Sequence, residues 1–245
     1  DLKGYYWTQA CNFIQVADVS AVTFANPIGD TTAFTGTYNG QNYNITSLEV
    51  TGNATYAGMF GLFTGDSVKN LNVSALTLNK GTLDEEGVSG GLIASVNAVT
   101  TIDNINLNNV DVSAITGAAN SAGLIGVTGA DAVTVNNVSV TFKANAGISG
   151  TSAAGLIGTA GAATSIADAK VTTQGTGAIT GVTYASGLVG LFNGTTIDNA
   201  NVTLSAALST TGAGSFVGGI AGNAAGAAIS NSNSLCSKGR TRLYP

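Results

Sequence analysis

Short alternations of apolar and polar residues return along this chain at a nearly fixed interval. Val68-Lys69-Asn70-Leu71-Asn72-Val73 is followed by Ile102-Asp103-Asn104-Ile105-Asn106-Leu107, by Val133-Thr134-Val135-Asn136-Asn137-Val138 and by Ile197-Asp198-Asn199-Ala200-Asn201-Val202. A weaker copy is Ile229-Ser230-Asn231-Ser232-Asn233, and Ile166-Ala167-Asp168-Ala169-Lys170-Val171 keeps the apolar positions without the asparagines. A period of two describes a strand with one buried face. A second alternation follows each block, as in Ser74-Ala75-Leu76-Thr77-Leu78 and Ser139-Val140-Thr141-Phe142. No window of ten residues spaces its apolar positions by three and four, so helices are not expected.

A glycine motif precedes each block. Gly58-Met59-Phe60-Gly61 recurs as Gly91-Leu92-Ile93-Ala94, Gly123-Leu124-Ile125-Gly126, Gly155-Leu156-Ile157-Gly158, Gly187-Leu188-Val189-Gly190 and Gly219-Ile220-Ala221-Gly222. The leading glycines Gly58, Gly91, Gly123, Gly155, Gly187 and Gly219 lie 33 residues apart once and 32 apart thereafter. Three short strands and their turns use up one such interval. The expected fold is therefore all-β: a parallel β-solenoid with one three-sided coil per repeat and equal positions stacked ~4.8 Å apart. Residues 58–235 make six repeats, residues 1–57 an aromatic-rich N-terminal lead-in and cap, and residues 236–245 a basic tail. In the lead-in, Phe34 to Tyr43 around Asn39-Gly40 reads as a hairpin. The aromatics Tyr5, Tyr6, Trp7, Phe13, Phe24, Phe34, Tyr38 and Tyr43 are expected to plug that end, since a coil interior has room for small and medium side chains only.

Composition agrees with this reading and removes several functions. The 245 residues contain 34 Gly, only 9% charged residues and 44% hydrophobic ones, with mean hydropathy +0.30. Disordered tails need the opposite balance. Two prolines exclude collagen, and no run approaches the ~20 apolar residues of a membrane span, so no membrane insertion is expected. A net charge of −5 argues against nucleic acid as a partner.

The Gly-Leu-Ile/Val-Gly unit with its following Ile-x-Asn-x-x-Val strand, preceded by Phe34-Thr35-Gly36-Thr37-Tyr38-Asn39-Gly40, resembles the GLUG-motif repeat proteins across roughly residues 13–233. That resemblance implies a secreted or cell-surface, adhesin-like setting, and repeats that serve as a stalk or display surface with no catalytic motif to carry over. Ala94 departs from the closing glycine of the motif.

Candidate chemistry is sparse. Without histidine, triads and imidazole-based metal sites are closed to the chain; no cofactor or metal is expected. Asp66, Asp103, Asp131, Asp168 and Asp198 recur at loosely related offsets, and polysaccharide cleavage by Asp103 or Asp198 is the least favoured of three readings. Asp84-Glu85-Glu86 reads as a solvated loop. Six N-glycosylation sequons, at Asn44, Asn53, Asn72, Asn137, Asn193 and Asn201, are about the number chance supplies. Asn72, Asn106, Asn137, Asn201 and Asn233 are expected to form an axial amide ladder. Ser74, Asn108, Ser139, Thr172 and Thr203 form a candidate surface column for ice, the second reading. The first is a non-catalytic extracellular structural or adhesive module, with surface glycans or further copies of itself as partners. Cys11 and Cys236 fall at opposite ends of a one-way coil, so a bridge between them would be intermolecular, tail to head, within a filament; the alternative, which is favoured, is that both are free or buried and that the chain is a piece of a longer protein whose next segment supplies the cap.

Overall fold

In the computed structural model, which describes residues 10–52, 55–84, 86–205 and 207–236, the chain is a parallel β-solenoid of about six turns with no helix among the described residues. From Tyr56 onward each turn passes through three sheets. In one turn Asn120–Ala122 lies in sheet C, Ile125–Thr128 in sheet B, and Val133–Phe142 in the long-stranded sheet A. The apolar alternation becomes continuous interior columns. Sheet A stacks Val68, Ile102, Val135, Ile166, Ile197 and Ile229, and sheet B stacks Phe60, Ile93, Ile125, Ile157, Val189 and Ala221.

Both ends of the glycine motif face a backbone carbonyl of a neighbouring coil, and they differ in the side chains that pack against them. A Cβ on Gly91, Gly123, Gly155 or Gly187 would come within 3.0 Å of the carbonyl oxygen of the leading glycine one coil on. On Gly123, Gly155 and Gly187 it would also meet sheet-A side chains, Phe142, Val171 and Val202 respectively. A Cβ on the closing glycines Gly126, Gly158 or Gly190 would meet the carbonyl oxygen of Ala94, Gly126 or Gly158 one coil back, and these glycines also leave space for the sheet-C column Val88, Asn120 and Ser152, which folds against them. Gly58 departs from the other leading glycines. Ala57 pairs with Ser89 but Phe60 with Ile93, so this turn is one residue shorter, and a Gly58 Cβ would meet the oxygen of Gly90.

Two expectations about the N-terminal region are corrected. Tyr38–Asn39 and Asn44–Val50 do not form a hairpin; they run parallel to Ser67–Val73 and Leu76–Leu78 as successive parts of one sheet-A rung. The polar residues between them build a corner, with Gln41 and Asn42 at φ 49° and 63°. Phe13–Ile14 and Val19–Phe24 add a further rung beneath. The lead-in thus continues the solenoid.

The interior also admits large rings. Phe13, Phe34, Tyr38, Phe60 and Phe63 make a connected aromatic cluster at the N-terminal end. Burial pushes the Tyr38 hydroxyl up to about 12, and it donates to Gln15 Oε1. Phe142 and Phe192, further along, are equally buried. Rings fit there because glycine stands against them: Phe142 covers Gly123 and Phe192 covers Gly194. Trp7, Tyr5 and Tyr6 lie outside the described residues.

Ser89 and Ser121 are stacked neighbours whose buried hydroxyls meet no hydrogen-bond partner, and the column continues as Ala153 and Ala185. Ser121→Ala should therefore raise stability by about 1 kcal/mol, by removing an uncompensated polar group. Gly155→Val should lower it by about 3 kcal/mol through overpacking against a backbone that cannot yield. Chemical denaturation of both variants beside the parent chain measures the two shifts, which have opposite signs.

Candidate functional site: the outward columns and corner of sheet A

Alternation sends every second residue of sheet A outward, and parallel register stacks these side chains along the axis. The first outward column is Ser67, Thr101, Thr134, Ser165 and Thr196. Next comes Lys69, Asp103, Asn136, Ala167, Asp198 and Ser230. A corner follows, and past it Asn44, Asn72, Asn106, Ser139, Lys170, Asn201 and Asn233 align.

The corner is held by Asn70, Asn104, Asn137, Asp168, Asn199 and Asn231, at φ 54°, 54°, 50°, 51°, 51° and 48°. Asparagine and aspartate tolerate this left-handed region better than other residues with a side chain. Their amides link successive coils. Asn70 Nδ2 donates to Asn39 Oδ1 at 3.0 Å, Asn104 Nδ2 to Asn70 Oδ1 at 2.9 Å, and Asn137 Nδ2 to Asn104 Oδ1 at 3.2 Å. Asn199 donates to Asp168, and Asn231 Nδ2 to Asp198 Oδ1 at 2.8 Å.

The ladder therefore runs through the residue just before the second inward apolar position of each block, which is the first asparagine in most blocks, Asn137 in the third and Asp168 in the fourth. Of the expected members, Asn137 belongs to it, whereas Asn72, Asn106, Asn201 and Asn233 form the outward column beyond the corner, where Ser139 takes the place assigned to Asn137. The hydroxyl column is corrected in the same way. Thr172 and Thr203 stack on each other and on Thr141, while Ser139 stacks on Asn106 two positions earlier. At the level of Ser74 the strand of Asn108 carries a bulge, and Asn109, at φ 47°, donates from Nδ2 to the Ser74 carbonyl.

Among the sequons, Asn137 lies inside the ladder and Asn72 Nδ2 donates to the Asn42 carbonyl at 2.9 Å. Asn44 bonds Ser74 and Thr46, whereas Asn193 and Asn201 are exposed. Asn53 lies outside the described residues.

The acids are dispersed along the axis. Asp103 and Asp198 share a column but stand three rungs apart, ~14 Å at ~4.8 Å per rung, beyond the ~5–9.5 Å between glycosidase carboxylates. Asp103 Oδ1 accepts from Asn136. Hydrogen bonds from Ser230 and Asn231 hold the Asp198 carboxyl below its ordinary 3.8. Partial burial pushes the Asp111 carboxyl up, but hydrogen bonds from Ser113 and Lys143 outweigh it and hold it below 3.8 as well. Among the described residues no three His, Cys, Asp or Glu side chains group to hold a metal ion; Glu85 lies outside them.

Cys11 precedes the first rung and Cys236 ends the last, both exposed. The column from Phe13 to Ile229 spans seven steps, ~34 Å, against the ~4–7 Å between Cα atoms that a disulfide needs. Comparison with protein-family models, curated proteins and solved structures returns no match for this chain.

The ladder predicts a graded response. Asn104→Gly keeps the corner conformation and loses three amide bonds, to Asn42, Asn70 and Asn137, costing about 1 kcal/mol; Asn104→Ala adds the left-handed penalty, for about 2–3 kcal/mol in all. Acid is the second probe. Because Asp198 and Asp111 have folded-state values below 3.8, their contribution is fully present above the unfolded value and is lost as pH falls through the folded ones. Melting temperature should fall below about pH 4, and less steeply in Asp198→Asn.

Proposed function

We propose that this chain is a non-catalytic structural module, a stiff rod that spans distance in an extracellular or cell-surface setting and displays uncharged polar columns. The observation that carries the reading is the corner ladder: the amide groups that could bind a ligand are bonded from coil to coil along the axis. They strengthen continuity instead of converging on a point. Catalysis needs converging groups, whereas Asp103 and Asp198 are kept apart by two uncharged rungs, and the carboxyl of Asp198 is shifted away from the range of a general acid. The resemblance to GLUG-motif repeats and the low charge support the extracellular setting and an adhesive role toward surface glycans.

One observation favours a second reading, ice binding. Ser67, Thr101, Thr134, Ser165 and Thr196 form a regular hydroxyl column, repeating at ~4.8 Å. The adjoining column carries Lys69, Asp103 and Asp198, and fixed charges hold liquid-like water, so the structural role stands first.

The reading is tested with the folded chain on pectin-like and alginate-like polymers and in freezing solution. No release of reducing ends and no thermal hysteresis are expected. Sugar release abolished by Asp198→Asn would overturn the non-catalytic role; hysteresis abolished by Thr134→Tyr would replace it with ice binding.

A further inference from the structure

We propose that the C-terminal end of the rod binds the N-terminal end of a second copy, in register, so that copies extend head to tail. The spacer reading stands or falls separately. The last rung comprises Leu208–Thr210 and Phe216–Gly218 in sheet C, Ala221–Ala224 in sheet B, and Ala228–Ser230 and Asn233–Cys236 in sheet A. Beyond it no further strand lies among the described residues. Its interior positions are open: Val217 is 46% exposed where Ala185, one coil back, is 0%, and Ile229 is 45% exposed where Ile197 is 0%. Such an edge accepts another strand.

The opposite end of the same molecule supplies a matching surface. In the shared columns Phe13 of a second copy falls on Ile229, Ile28 on Ala221 and Phe34 on Ala224. Large head residues meet small tail residues in sheet B, the size alternation that packs well. Ile14 and Val16, 57% and 77% exposed, lie at the head. Sheet C has no rung before Tyr56–Ala57 among the described residues, so the continuation runs through sheets A and B.

Charge decides the orientation. Residues 1–52 carry Asp1, Asp18, Asp30 and Glu49 against Lys3, a net of −3; after Asp198 the only charges are Lys238, Arg240 and Arg242, a net of +3. The three basic residues lie outside the described residues; by sequence their sign is opposite to that of the head, and like tails repel. The contact is heterologous and does not close, so it builds a linear assembly.

In the proposed register Cys11 and Cys236 do not meet. Cys236 continues the column of Leu204, which leads back to Val22, and Cys11 continues the column of Ala227. Across an in-register contact the two native cysteines stand about 30 Å apart along the rung. Each does face a position where a cysteine can be placed.

The test is oxidative cross-linking of the full chain, read by non-reducing electrophoresis. Cys11→Ser/Val22→Cys, and independently Ala227→Cys/Cys236→Ser in case the first variant folds poorly, should each give a ladder of dimers, trimers and higher species. Cys11→Ser alone should give none. Sedimentation of the parent chain should show linear oligomers at 50 mM salt, with the apparent Kd rising about tenfold at 500 mM. A chain that is monomeric at every concentration overturns the proposal. So does a dimer formed by Cys11→Ser through Cys236 alone, since that is tail-to-tail contact.

Discussion

Every column in this molecule stacks one side chain on the next at ~4.8 Å, and that spacing governs which residues the chain can use. Two like charges at this distance repel by about 3 kcal/mol at an effective dielectric of 20. Among the described residues the outward columns avoid the arrangement: Lys69 faces Asp103, Asp103 faces Asn136, Lys143 bonds Asp111, and Asp168 accepts from Asn199. A charge fraction of 9% follows from geometry before any question of function arises. Amides and hydroxyls suit the same spacing because each can donate to one neighbour and accept from the other.

The same constraint explains how the interior is filled. Sheet-B and sheet-C strands lie so close at the glycine motif that a Cβ on the leading glycine would meet the backbone of the next coil. The volume left free on the sheet-A side is then taken by Phe142, Val171 or Val202. Glycine and aromatic are thus complementary parts of one layer, and the rings at Phe142 and Phe192 need no widened coil. Expecting only small interior residues considers each column alone and overlooks this exchange between facing columns.

Coil number, period and strand direction were legible in the sequence because the glycine motif repeats with its own flanking alternation. The register of polar columns was less so. In the third block Asn136-Asn137 replaces the Asn-x-Asn of its neighbours, and aligning Asn137 with the second asparagine moves it two positions along the strand. The signal that fixes it is conformational: the residue just before the second inward apolar position, Leu71, Ile105 or Val138, turns left-handed at the corner. Asp168 fills that place with no asparagine at all, as a residue tolerant of positive φ. The lead-in misled for a related reason. Asn and Gly mark a reversal in a hairpin and a corner in a solenoid alike, and only pairing with a later coil separates the two.

A solenoid's stability is close to a sum of coil and nearest-neighbour terms, so its ends differ from its middle. At the N-terminal end Phe34, Tyr38, Phe60 and Phe63 pack ring on ring and are fully or almost fully buried, and the first coils draw on one another. At the other end Val217, Ile220, Ala221 and Ile229 contact, among the described residues, a coil on one side only, and none is fully buried. Stacking Tyr184 on Phe216, with ring centroids 5.7 Å apart, ties the last coil to the one before it. It also leaves the outer face of Phe216, 44% exposed, available to whatever lies beyond. The coil with the fewest neighbours is therefore the one whose burial an added rung would increase most, and the repeat that makes the rod regular also makes its end a template.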